Sequence, residues 1–194
     1  MEEGAAKHDL HRYLRDARAS MLWKLEGLPE YDMRRPLVPT GTNLLGLVKH
    51  VALVELGYLG ETFGRPFEGW APQAASDTEP NADQWAAAEE SPDQVVEFYR
   101  EVWRHCDETF WALPLDAPGR VPWWPEERAA TTLHHVTVRV IAETNRHAGH
   151  ADILRELIDG RIGWVEGNDN LPSTDPGWWE SYRSSLEEIA QRFR

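Results

Sequence analysis

Apolar residues recur at helical spacing in four long segments of this 194-residue chain and in a shorter fifth segment near its end. In the first, from about Lys7 to Glu26, Leu10, Tyr13, Leu14, Ala17, Met21 and Leu25 form one stripe. A proline-rich loop, PEYDMRRPLVPTGT, separates it from the second, which opens on Thr42 or Asn43 as N-cap. That segment runs to about Phe63, where Gly64 and Pro66 stop it. A long irregular connection over 65–90 follows, of a length that in a compact domain usually serves function. The third segment has Ser91 as N-cap, Pro92 at the first helical position and Gln94 at the capping-box position, and continues to about Leu113. The fourth runs from about Thr131 to Gly160, and the last from about Trp178 to Phe193. No repeat, low-complexity tract or convincing strand pair interrupts this order. The expectation is an all-α fold: an antiparallel four-helix bundle with long crossover loops and a short C-terminal helix, taken as a single domain over 1–194.

The fourth segment breaks the pattern in an informative way. At about 100° per residue, Glu143, His147 and His150 fall within about 40° of the line through Val136 and Leu154. A carboxylate and two imidazoles therefore occupy the stripe that should face the core. A buried carboxylate is costly unless it is paired or binds a metal. Glu143 and His147 are four residues apart, so both side chains leave one helix face and can reach a common ion. In the second segment, His50 shares a face with Leu47, Leu53, Val54 and Gly57 in a helix that is apolar almost all round. Metal sites in bundles are built from such inward side chains on facing helices. Two histidines and a glutamate form a known catalytic zinc set, with one position left open. The bland alternatives are a hydrogen-bonded core histidine at His50 and a buried Glu143–His147 ion pair with His150 or Arg146 as partner. His150 is the candidate catalytic residue: one turn beyond His147, it could orient a ligand, move a proton or simply pack.

Composition narrows the function classes. The net charge of −13 argues against a nucleic-acid partner, and the longest apolar run is far short of a membrane span. The first residues lack the basic and apolar regions of a signal peptide. Cys106 is the single cysteine, which excludes an internal disulfide and fits a cytoplasmic location. It has no mark of a nucleophile and reads as a small buried residue. Asp152 and Arg155 point away from the ligand stripe, as a surface or interhelix pair, and His134 and His135 read as cap or surface residues. Trp123, Trp124, Trp178 and Trp179 either wall a pocket for an apolar substrate or fill the bundle ends.

His50 in GLVKH and Glu143/His147 in ETNRHAGHADILRELIDG resemble the pattern of the DinB/YfiT-like family of metal-dependent four-helix-bundle enzymes, over nearly the whole chain from about His8 to Arg192. Members place one histidine in the second helix and a ligand-x3-His pair in the last long one. Many have three histidines; glutamate at the middle position is similar to the branch of mycothiol-dependent maleylpyruvate isomerase. Many also follow the last histidine with Arg-Gly-Gln, where this chain has Ala-Gly-His150. The isomerase has a further C-terminal domain not found here, so its isomerase activity is not carried over. The resemblance implies a divalent metal, zinc first and nickel second, held by His50, Glu143 and His147. It also implies a low-molecular-weight thiol of the mycothiol type as cosubstrate, and S-transfer to, or detoxification of, a small-molecule electrophile. Two other readings stay open: a metal-dependent hydrolase using water, and a non-enzymatic bundle that binds a small ligand or partner. A homodimer is carried as an open expectation. The open coordination position is expected to face a cleft lined by the 65–90 connection and the Trp123-Trp124 loop.

Overall fold

A computed structural model describes residues 3–76, 79–169 and 171–194. It divides into two compact units, one reaching to residue 162 and one spanning 163–194. The first contains α1 (Glu3–Trp23), the short α2 (Glu30–Arg34), α3 (Leu44–Leu59), α4 (Pro92–Ala112) and α5 (Leu133–Asp159). The second contains α6 (Pro176–Gln191), begun by Asp175 as N-cap, in which Trp178 stacks on Tyr182.

Helix boundaries follow local chemistry. Asn43 caps α3 by accepting from the Gly46 amide, and α3 gives way to a 3-10 turn, Glu61–Phe63, closed by left-handed Gly64. Ser91 and Gln94 form a full capping box at α4, with Pro92 in the first turn. Thr132 caps α5, and left-handed Gly160 ends it.

The four long helices form the expected bundle, with one correction to their directions. Lys7 donates to the Leu113 carbonyl and Arg18 to Asp107, so α1 and α4 are antiparallel. Yet Lys49 meets Glu90 just before α4, and the Cys106 thiol meets the Glu55 carbonyl further along, so α3 and α4 run in the same sense. The long 60–91 connection carries the chain back to the end where α3 began; such crossovers are what permit parallel neighbours in a bundle. Two more elements were not expected: α2 in the proline-rich loop, and an antiparallel ribbon of β1 (Pro118–Arg120) with β2 (Ala130–Thr132). The ribbon is only three residues a side, too short to leave an alternating pattern, and it holds the Trp123-Trp124 loop at its end.

The core gathers leucines, valines and aromatics from all four helices. Among the residues expected in it, Tyr13 is half exposed, whereas Arg18, one position beyond the stripe, is fully buried. Arg18 pairs with the fully buried Glu55 and with Asp107. Cys106 is buried beside this pair. Burial pushes its thiol well above the ordinary range, helped by the neighbouring Glu55 charge, so it stays protonated. Asp152 and Arg155 are interhelix residues, but each separately reaches Lys24, the residue after α1. Asp152 pairs with Lys24 at 2.5 Å, and Arg155 donates to the Lys24 carbonyl at 2.9 Å and to Asp159. No helix is long and apolar enough to cross a membrane among the described residues.

Candidate metal centre

His50 on α3 and the Glu143/His147 pair on α5 meet across the helix interface. One ligand atom from each lies within 4.8 Å of those of the other two. Glu143 Oε1 is 3.0 Å from His147 Nε2 and 3.7 Å from His50 Nε2. Ligands about 2.0–2.2 Å from a tetrahedral ion are roughly 3.3–3.6 Å apart. The trio therefore brackets the required spacing, and the donor set of two imidazoles and one carboxylate suits a borderline divalent metal. His50 and His147 face each other edge-on, with ring centroids 4.8 Å apart.

The outer nitrogens of the two rings are also held. His50 Nδ1 lies 2.6 Å from Asp83 Oδ2, and Gln84 Nε2 lies 2.8 Å from that nitrogen and 3.2 Å from the same oxygen. With the ring hydrogen on Nδ1 donated to Asp83, the Nε2 lone pair points at Glu143. A histidine ligand is normally oriented by such a carboxylate. His147 Nδ1 lies 3.4 Å from His150 Nδ1, so the outer nitrogen of the second ring also has a polar neighbour, while its Nε2 faces Glu143 at 3.0 Å. His150 itself is exposed and stands behind His147 rather than among the converging atoms.

Asp83 and Gln84 escaped the sequence reading. They sit in a 3-10 turn, Ala82–Gln84, within the long connection, entered through Asn81 in the left-handed region (φ 61°). No periodicity or spacing announces them. The turn is bound to α3 at several points: Asn43 and Lys49 donate to the Gln84 and Trp85 carbonyls, and Lys49 also pairs with Glu90 at 2.8 Å. Glu90 in turn accepts from the Gln73 and Ala87 amides. Gly46 lets the turn approach, since a Cβ there would overlap the Gln84 carbonyl.

The protonation states suit ligation. Burial raises the Glu143 carboxyl, but His147 and His50 beside it outweigh burial and hold it below the ordinary range. Burial, with His50 nearby, holds His147 below its ordinary value against the pull of Glu143. At neutral pH an ionised carboxylate thus faces an uncharged imidazole, and neither need lose a proton to bind a cation.

The Trp123-Trp124 loop reaches the same helix. Trp123 lies against Gly57, where a Cβ would come 2.7 Å from its Cη2, and both tryptophans make edge contacts with Tyr58. His134 and His135 are exposed at the start of α5.

A comparison with curated proteins finds no match. The family model for mycothiol-S-transferase matches residues 9–160, which takes in most of α1, all of α2 through α5 and every residue of the candidate centre. With the helical bundle and the DinB/YfiT-like pattern already in place, that match shows that the chain belongs to the mycothiol-S-transferase family.

Proposed function

We propose that the protein is a metal-dependent thiol S-transferase in which His50, Glu143 and His147 hold one divalent cation, zinc foremost, and mycothiol is the cosubstrate. The observation that carries this reading is the orientation of the two imidazoles: both present Nε2 to Glu143, and both have Nδ1 engaged outside. An ordinary buried Glu–His pair requires only one such ring.

When bound, the cation would lower the pKa of a coordinating sulfhydryl, which otherwise is mostly protonated near neutral pH because a free thiol has a pKa of about 8.5. The chain's own residues set the conditions for this. Glu143 brings a single negative charge, so a divalent site with these three residues keeps a net positive charge and favours an anionic fourth partner. Asp83 would hold the His50 ring in the tautomer that leaves Nε2 free, and His150 stands beside the nitrogen of His147 that would carry the hydrogen once Nε2 is a ligand. Cys106 takes no part, being buried and protonated next to Glu55, so the sulfur nucleophile must come from outside. Attack on a small electrophile then forms a carbon–sulfur bond, expels the leaving group with its electron pair and delivers the thiol proton to solvent.

The test is metal analysis of protein purified without a histidine tag, followed by thiol consumption against a panel of electrophiles with mycothiol, bacillithiol and glutathione. Turnover that needs both metal and mycothiol is the expected result. Metal-loaded protein that ignores thiols and cleaves esters or amides with water alone would replace this reading with hydrolysis.

A further inference from the structure

The α3–α5 interface continues past the candidate metal centre. Arg139 precedes Glu143 by four residues, so it stands one turn away, about 6 Å along the α5 axis and on the same side. Tyr58 follows His50 by eight residues on α3. Because α3 and α5 are antiparallel here, the two meet: Arg139 Nε donates to the Tyr58 hydroxyl oxygen at 2.8 Å. Trp124 Nε1 donates to the same oxygen at 3.2 Å. The guanidinium lies 5.2 Å from the Tyr58 ring centre and 5.4 Å from that of Trp124. Trp123 completes this aromatic wall at Gly57, which is seven residues after His50 and so nearly in line with it.

Arg139 is exposed, and what distinguishes it is that a neutral hydroxyl and two aromatic rings hold its guanidinium. The chain carries 33 acidic against 20 basic residues. Arg18 and Arg155, both buried, are each paired with carboxylates. No carboxylate among the described residues pairs with Arg139, whose one hydrogen bond goes to a neutral hydroxyl. Neutral groups orient its guanidinium, and the two terminal nitrogens keep their donors. A planar fork held this way suits bidentate capture of a carboxylate.

We infer that Arg139 is a specificity-determining residue that recognises the carboxylate of an anionic electrophile. The ligand's apolar body lies along Trp123 and Trp124, and its reactive carbon lies one helical turn away, beside Glu143. The anion site follows from the geometry around Arg139; that its ligand is the electrophile rests on the S-transfer reading above.

Two measurements separate these points. Tryptophan fluorescence of metal-free protein titrated with benzoate and with benzamide reads anion capture without catalysis. Benzoate should bind saturably, benzamide about tenfold or more weaker, and Arg139→Gln should lose the difference with its helical circular dichroism unchanged. Arg139→Lys should restore charge but only part of the affinity, and Tyr58→Phe should weaken benzoate by freeing the fork. Benzoate and benzamide binding alike, or Arg139→Gln leaving benzoate binding intact, overturns the inference. The second measurement compares 4-(bromomethyl)benzoate with its methyl ester in mycothiol consumption. Sulfur displaces bromide, which leaves with the bonding pair, and the thiol proton goes to solvent. The acid should show the lower KM, and Arg139→Gln should raise that KM while leaving kcat and the ester little changed. Equal losses on acid and ester also overturn it. Benzoate capture through Arg139 without any thiol consumption would leave the anion site standing and defeat the S-transferase reading alone.

Discussion

Asp83 Oδ2 stands 2.6 Å from His50 Nδ1, across 33 residues of sequence, and with Gln84 Nε2, 2.8 Å from the same nitrogen, it carries the long connection to a candidate ligand ring. Its consequence for metal binding is specific. His147→Ala and His50→Ala should each remove most of the bound metal, because each deletes a ligand. Asp83→Asn should leave the ligand set intact yet weaken affinity about 10- to 100-fold. His150→Ala should reduce metal only in part. Elemental analysis together with competition against a chelator distinguishes these cases. Full metal content in His147→Ala would dismiss the site.

Gly46 offers a second test, remote from the ligands. In Gly46→Ala the new methyl meets the Gln84 carbonyl, which is backbone and cannot swing aside. The turn bearing Asp83 must lift, at a cost of about 1–3 kcal/mol. Chemical denaturation should show the lost stability, and metal affinity should fall as it does in Asp83→Asn. Lower stability with unchanged metal affinity would mean that the turn does not orient His50.

The two residues show what the sequence could and could not reveal. His50, Glu143 and His147 were legible because polar groups interrupted otherwise apolar stripes at helical spacing, and the cap at Ser91 and the stop at Gly64 were written in local residue types. Asp83 was not, because its role depends on a tertiary approach through a turn with no period. Arg18 and Glu55 were missed for a related reason: each alone resembles a solvated charge beside a stripe, and only the packing of α1 on α3 makes them a pair. The parallel course of α3 and α4 depends on where a long connection returns, which residue spacing does not encode.

Glu90 sets an acid limit on the docked connection. Burial raises its carboxyl, but Lys49 and the Gln73 and Ala87 amides outweigh burial and hold it below the ordinary range. A depressed carboxylate stabilises the fold above its unfolded value, about 4.3, and this contribution is lost as pH falls through the lower folded value. Glu90→Gln should therefore lower the thermal midpoint at pH 7, and the gap from the parent should close below about pH 4. A gap that persists unchanged to pH 3 would show that the ionised form contributes nothing.

The buried Arg18–Glu55 pair should behave asymmetrically. Arg18→Met strands the Glu55 charge in the core and should cost about 3–5 kcal/mol, Glu55→Leu should cost less because Arg18 keeps Asp107, and the double replacement should recover most of the larger loss. A double-mutant cycle by urea denaturation measures the difference. Additive losses would argue that the two side chains act independently.

That pair has a geometric consequence for the opposite side of the same helix. Helix α3 is buried nearly all round, in leucine, valine and alanine, so apolar contact alone discriminates poorly among its rotations about its own axis. Glu55 follows His50 by five residues and points about 140° away from it. A slip of one residue turns the helix by about 100°, tearing Glu55 from Arg18 as it swings His50 away from Glu143 and His147. The ion pair thus indexes the azimuth of α3, and the aim of its histidine is set in part on a flank sealed from solvent.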